Sequence, residues 1–256
     1  ESVCSFTVML VPSKIHHRTC RVSCERFVPN TFGLLCWNVY KKNRKHPGFE
    51  PFIRRLTREK EIDFILLQEA NFRDDRHCVL PDFALDAAAN LEYRGEFYGV
   101  LSASRVESRN AEAFLSEGKE SFFGPHKSLL INTYPFEDGS ILLVLNVHAI
   151  NFRENKRYFR ELERFLELMK QHDGPMIIAG DFNSWNKKRL EKLYSVKEEL
   201  SLNRVPFKQI DDVKSFMGNH LVFIFYRGME LLEFSAMDYQ GLSDHNPLFA
   251  QFRKKS

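Results

Sequence analysis

The chain has 256 residues, with 37 Lys and Arg against 34 Asp and Glu, a formal net charge of +3, 43% hydrophobic and 28% charged residues. That balance excludes a disordered or low-complexity chain, and the small positive charge permits a polyanionic partner without requiring one. No apolar run approaches the roughly 20 residues needed to cross a bilayer.

The sequence has 24 Phe, which predicts a strongly aromatic core. Phe6–Pro12 is too short for a signal-peptide core. Cytoplasmic localisation is therefore the expectation, although a start at Glu1 leaves room for a removed leader. The five cysteines (Cys4, Cys20, Cys24, Cys36 and Cys78) are an odd number in a long chain. Cys36 lies in an apolar run and reads as a buried thiol. A reducing compartment suits this pattern, with one disulfide in the N-terminal trio as the alternative.

In chain order, residues 1–32 show weak periodicity, three cysteines and two prolines, and read as an irregular N-terminal arm before one domain over 33–256. Short apolar runs predict strands at Gly33–Val39 and Asp63–Glu69, with a helix between them presenting Phe49, Phe52, Ile53 and Leu56 on one face. Strands follow at Ser128–Tyr134 and Ile141–Ile150, and the intervening Asp138-Gly139 is a hairpin signal. A helix carrying Phe159, Leu162, Phe165, Leu166 and Met169 on one face stops at Gly174-Pro175. Then come a strand at Pro175–Ala179, a helix across Lys187–Leu200, and strands at Leu221–Tyr226, Glu230–Phe234 and Pro247–Phe252. Several strands are apolar at consecutive positions, so the class is α/β with sheets covered on both faces.

Polar residues flank these strands at their ends. Trp37-Asn38 closes the first, Gln68-Glu69 the second, and Asn146 and His148 the strand from Ile141. Gly180-Asp181-Phe182-Asn183 follows the Pro175 strand, and Ser243-Asp244-His245-Asn246-Pro247 precedes the last. Open α/β sheets place their sites at strand ends, where loops converge on a rigid core. Glu69, Asp181 and Asp244, with the Asn38 and Asn183 amides, form the oxygen-rich set that a hard cation such as Mg²⁺ takes. His148 and His245 add donors for a phosphoryl oxygen or leaving group. Each ending alone is ordinary, since Gly-Asp after a strand is commonly a solvated turn and a lone His commonly packs at the core's rim. Five complementary endings in one chain are not.

Together these motifs resemble the endonuclease/exonuclease/phosphatase superfamily, the DNase I-like fold. They occur in that family's order and span residues 33–253. Asn146-Val-His-Ala-Ile-Asn-Phe and Phe225-Tyr-Arg-Gly are further similar to its YafD-like bacterial branch. The resemblance implies a four-layer sandwich of two mixed β-sheets flanked by helices. It also implies Mg²⁺ or Mn²⁺ held by Glu69 and Asn38 with Asp244 beside it. By the same resemblance Asp181 orients or deprotonates the attacking water and Asn183 binds a phosphate oxygen. His245 stabilises the pentacovalent oxyanion, and His148 assists the phosphate or leaving group. One departure stands out: where the family carries an Asp that orients the final histidine, this chain has Val222 within Leu221–Phe225. Lowered turnover with metal binding nearly intact is the expected consequence, unless His220, Asp211, Asp212 or Asp238 substitutes.

The implied activity is metal-dependent hydrolysis of phosphodiesters, with nucleic acid as the leading substrate class. The alternatives are a phosphatase on phosphoinositides or small phosphate esters, and a catalytically silent binder of nucleic acid or protein. Two basic clusters, Lys41-Lys42-Asn43-Arg44-Lys45 and Lys187-Lys188-Arg189, follow proposed site strands and either draw in a polyanion or form solvated loops. Lys127 reads as a surface lysine. His16, His17, Cys20 and Cys24 match no strong zinc spacing. Trp37 reads as core, and Trp185 as a possible stacking surface. The sequence does not indicate an oligomeric state.

Overall fold

The computed structural model describes residues 14–19, 24–73, 80, 82–115, 128–149, 155–184, 186–207, 215–216, 219–238 and 241–255. The strands are, in order, β1 (Lys14–Thr19), β2 (Thr31–Asn38), β3 (Ile62–Phe72), β4 (Ala84–Tyr93), β5 (Glu96–Ser104), β6 (Asn110–Leu115), β7 (Ser128–Pro135) and β8 (Ile141–His148). They continue as β9 (Met176–Asp181), β10 (Asn203–Arg204), β11 (Ser215–Phe216), β12 (Asn219–His220), β13 (Val222–Arg227), β14 (Met229–Ala236) and β15 (Leu248–Lys254). The helices are α1 (Phe49–Glu59), α2 (Asn155–Met169) and α3 (Lys187–Glu199). One large sheet has seven strands in the order β1-β4-β5-β3-β2-β15-β14, a second has six in the order β10-β13-β9-β8-β7-β6, and β11 and β12 pair separately. Both large sheets are mixed, because β2/β3 and β8/β9 pair in parallel while the other described pairs are antiparallel.

Side-chain alternation builds the four layers. On β2, Leu34 and Cys36 point between the sheets, while Leu35 and Trp37 meet Phe49, Phe52 and Ile53 of α1 on the outer face. On β8, Leu142 and Val144 point inward while Leu143, Leu145 and Val147 meet α2 and α3. Both faces of each central strand are thus buried, which explains the consecutive apolar runs. The Phe content fills these layers. Phe64 lies edge-on to Phe32 at 5.4 Å and to Tyr134 at 5.0 Å between the sheets, and Trp37 stacks on Phe49 at 5.4 Å outside. Each such pair adds about 0.5–1.5 kcal/mol beyond its buried area.

The eight predicted strands and three predicted helices are all present, within a few residues at their ends. Strands β4, β5 and β6 and the two-residue β10, β11 and β12 are absent from the expectations above. β4 reads ALDAAANLEY, and alanine has little preference for a strand. The connection of β4 to β5 is a two-residue turn at Arg94-Gly95 with φ of 53° and 73°. Both values are positive, as a hairpin turn of this kind needs, but Arg-Gly lacks the usual Asn or Asp signal. Part of the arm read as irregular is a strand: β1 pairs antiparallel with β4 along Lys14–Thr19. Its edge position removes the need for a strong apolar pattern. β2 begins at Thr31, inside the stretch read as arm.

Candidate active site

The same alternation that builds the core delivers polar groups to one place. Asn38 is two residues beyond Cys36, Gln68 two beyond Leu66, His148 four beyond Val144 and Asp181 two beyond Ala179, so all four fall on inner faces. The parallel pairings align these ends, with Asn38 beside Gln68 and His148 beside Asp181. The two sheets meet there: Asn38 Nδ2 donates to Asp181 Oδ2 at 3.2 Å.

Glu69 would point outward in a regular strand. A bulge between Leu67 and Ala70, with Glu69 in the left-handed region at φ 50°, turns it towards the site. The left-handed conformation costs about 1–2 kcal/mol for a non-glycine residue. Glu69 Oε1 then lies 3.4 Å from Asn38 Nδ2 and 3.8 Å from His148 Nε2, and Lys41 Nζ lies 3.9 Å from Oε2. One buried amide thus sits between two carboxylates from opposite sheets. Its oxygen accepts from the Tyr40 N–H at 3.1 Å.

Behind this front, the sheets are bolted by side-chain amides. Gln68 Nε2 donates to Asn146 Oδ1 at 2.8 Å, and Asn146 Nδ2 donates to the Leu101 carbonyl at 3.0 Å. Both residues are fully buried, so these bonds form in a medium where leaving them unmade is costly.

The Asp181–Asn183 turn is held from several sides. Gly180 has φ 142°, and a Cβ there would lie 2.0 Å from the Val147 carbonyl oxygen, so the position requires glycine. Asn183, at φ 47°, donates its N–H to Asp181 Oδ1 at 3.0 Å and its side-chain amide to the Ala149 carbonyl at 2.7 Å. Tyr158 donates to the Phe182 carbonyl at 3.0 Å, and Arg189 Nη1 to the Asn183 carbonyl at 3.1 Å. Arg189 corrects the sequence reading, which placed it in a basic surface cluster. It is fully buried and lies over the Tyr158 ring at 4.6 Å, while Lys187 and Lys188 are exposed. Its place on the inward face of α3 gives it a structural task instead.

The Ser243–His245 loop is tied to the end of β2. Ser243 Oγ donates to the Asn38 carbonyl at 2.6 Å, and the Trp37 indole N–H donates to the His245 carbonyl at 2.7 Å. Trp37 is core, as read from the sequence, and also an anchor for this loop. His245 is buried, its Nε2 is 3.8 Å from Asp244 Oδ1, and the Asp244 side chain is 43% exposed. Val222 is buried on β13 and registers with Asp181.

The geometry therefore joins Asn38, Glu69, His148, Asp181 and Asn183 directly, and fixes the loop bearing Asp244 and His245 to the same strand end. Asp238 is exposed. Asp211, Asp212, Lys127, Trp185, Cys4, Cys20 and Cys78, and the side chains of His16, His17 and His220, lie outside the described residues. Cys24 is half-buried, and burial raises its thiol pKa. The sequence reading did not single out Tyr40, Tyr158 or the buried role of Arg189. Only the amphipathic phase of α2 and α3 hinted at the last two.

No group of three or more His, Cys, Asp or Glu side chains able to share a metal occurs among the described residues. The converging oxygens are those of the Glu69 and Asp181 carboxylates, bridged by the Asn38 amide N–H2, with no thiol among them. This is the chemistry of a cation that keeps its waters and takes one or two carboxylates, as Mg²⁺ and Mn²⁺ do. The residues fit such an ion.

The fold is the DNase I-like one. The chain belongs to the Endonuclease/Exonuclease/phosphatase family, whose sequence profile matches residues 35–245. Members of this family typically use divalent metals. Among bacterial relatives, the chain is 33% identical over 222 residues to a UPF0294 protein of Vibrio campbellii, covering 86% of this chain and 76% of the relative. It superposes on an endonuclease/exonuclease/phosphatase family protein from Bacteroides thetaiotaomicron with a TM-score of 0.65 at 15% identity, over 90% of this chain and 100% of that one. D. rerio TDP2 complexed with single strand DNA product gives 0.61 at 14% identity, over 88% of this chain and 99% of that one. No helix among the described residues is long and apolar enough to cross a membrane.

Proposed function

We propose that the protein is a Mg²⁺- or Mn²⁺-dependent phosphoesterase that hydrolyses phosphodiesters by in-line attack of water, with nucleic acid as its substrate class. The observation that carries this reading is the Asn38 amide held between Glu69 and Asp181, at 3.4 and 3.2 Å, where the two sheets meet.

In this reading Glu69 would hold the cation, supported by Asn38, whose amide donates to the Glu69 carboxylate, and Asp244 would lie beside it. When bound, the cation supplies neutralisation of phosphate charge and alignment of the reacting oxygens. Asp181 accepts the proton of the attacking water or orients it, fixed by the Asn183 N–H on its other oxygen. The second N–H of the Asn183 side chain is available to a phosphate oxygen. His245 donates to the oxyanion that develops at phosphorus, and His148 to the phosphate or leaving oxygen. Proton transfer by a placed group typically contributes about 10²–10⁴-fold. The choice of nucleic acid is supported by the single-stranded DNA product in the D. rerio TDP2 structure and by the lysines beside the site.

The test is initial rates on bis-p-nitrophenyl phosphate, p-nitrophenyl phosphate and supercoiled plasmid, with Mg²⁺, Mn²⁺ or EDTA. Metal-dependent cleavage of the diesters is expected. Turnover confined to the monoester would move the reading to a phosphatase on small phosphate esters. Val222 beside Asp181 motivates a second reading, a silent member that binds without hydrolysis. Salt-sensitive DNA binding with no turnover would favour it.

A further inference from the structure

The loop that leaves the active-site end of β2 exposes an aromatic ring that the fold does not use. Tyr40 is 52% exposed and belongs to none of the hydrophobic clusters of the described residues. Tyr40 and Lys41 both lie in the left-handed region, with φ of 47° and 59°. Two consecutive non-glycine residues there are uncommon, and such strain collects at functional sites.

Site residues themselves maintain the strain. The Tyr40 N–H donates to Asn38 Oδ1 at 3.1 Å, and the Lys41 N–H to the Glu69 carbonyl at 2.9 Å. Further along, Asn43 and Asn71 bond reciprocally, with Asn43 Nδ2 to the Asn71 carbonyl at 2.7 Å and the Asn71 N–H to Asn43 Oδ1 at 2.8 Å. The loop is therefore fixed before any ligand arrives, which lowers the ordering cost of binding.

Its charges are arranged around the ring. Lys42 Nζ lies 5.9 Å from the Tyr40 ring centroid, and Lys41 Nζ lies 3.9 Å from Glu69. Arg44 is paired with Glu96 at 3.3 Å and Lys41 leans on the Glu69 carboxylate, so the positive charge of the loop rests mainly on Lys42 and Lys45, with Lys41 directly at the site.

We propose that Tyr40 is a stacking platform for an unpaired nucleobase adjoining the phosphate at the Glu69–Asp181 site, with Lys41 and Lys42 meeting the flanking backbone. This rests on the phosphodiesterase reading above and narrows its substrate to single-stranded nucleic acid. An exposed, rigid aromatic face beside lysines is how proteins hold unpaired strands with little sequence preference. A duplex base is already stacked and leaves the ring nothing to gain.

The test is fluorescence anisotropy in EDTA with a labelled twelve-residue oligothymidylate, the same length of abasic oligonucleotide and a duplex, using the wild-type chain, Tyr40→Ala and Tyr40→Phe. The wild type should bind the thymidylate about ten-fold more tightly than the abasic strand, and more tightly than the duplex. Tyr40→Ala should erase that difference without weakening abasic binding, and Tyr40→Phe should retain it. Equal affinity for the two strands, or no effect of Tyr40→Ala, would overturn the platform. Tyr40-dependent capture by phosphoinositide vesicles without base preference would also overturn it, in favour of a lipid headgroup. Cleavage of the same strands with Mn²⁺ separates the two ideas. Base-dependent binding without cleavage of any strand counts against the phosphodiesterase reading alone. Cleavage indifferent to bases counts against the platform alone.

Discussion

Val222 registers with Asp181 across the antiparallel pair β13–β9, on the face that looks between the sheets. A position that could carry a carboxylate beside the site instead carries a buried, saturated side chain, 4% exposed. In the family that the motifs resemble, a carboxylate at this position orients the final histidine, here His245, fixing its tautomer and favouring its charged form. Val222→Asp is expected to raise kcat on a phosphodiester by about 10- to 100-fold, the range in which orienting partners act. Metal affinity should change little. Equal turnover in the two proteins, measured under saturating Mn²⁺, would show that His245 needs no such partner.

The Gln68–Asn146 bolt predicts a stability effect at a residue that touches no substrate. Asn146→Leu would leave Gln68 Nε2 and the Leu101 carbonyl buried without that partner. Each such group costs about 1–3 kcal/mol. A loss of at least about 2 kcal/mol in urea unfolding is expected. A loss of activity at temperatures where the variant remains folded should accompany it, because the bolt sets the distance between Glu69 and Asp181.

Gly180→Ala would place a Cβ 2.0 Å from the Val147 carbonyl oxygen, at a backbone angle of 142° that side chains avoid. Backbone lies on both sides of this contact, so no rotamer relieves it. Unfolding should become easier by roughly 2–4 kcal/mol. Asp181 follows directly, so turnover should fall too. Thermal melts and initial rates on the same preparation check both effects.

Burial pushes the Cys36 thiol up to about 12. Little of the thiolate, which is the reactive form, is then present at pH 8. Cys36 should therefore resist iodoacetamide in the folded protein and react readily in denaturant. Mass spectrometry of the Cys36 peptide distinguishes it from other cysteines. Rapid native labelling would mean that the inter-sheet core opens.

The layers, and the strand ends at which the candidate residues converge, were legible because β2, β3, β8 and β9 are buried on both faces and end in polar groups. An apolar run interrupted by Asn, Glu or Asp marks a strand's end, and strand parity then assigns the face. Three features lay beyond that reading. β4 hides because Ala-rich strands lack a β-branched signal, and its turn uses Arg94 where Asn or Asp is usual. The inward turn of Glu69 depends on a bulge, and simple alternation would have sent it outward. Arg189 reads as surface charge because a buried guanidinium is uncommon. Asn155, Asn183 and Tyr158, placed around it by the tertiary fold, help to offset its burial.

Turnover is expected to require a divalent cation held by Glu69 and its neighbours. The most direct measurement is a Mn²⁺ titration that follows bound metal by electron paramagnetic resonance and bis-p-nitrophenyl phosphate hydrolysis in the same samples, for wild type and Glu69→Gln. Activity is expected to rise with metal occupancy in the wild type and to vanish in EDTA. Glu69→Gln is expected to weaken metal binding at least about ten-fold and to lose turnover with it. Hydrolysis that persists in EDTA, or Glu69→Gln that binds and turns over like wild type, would contradict that requirement.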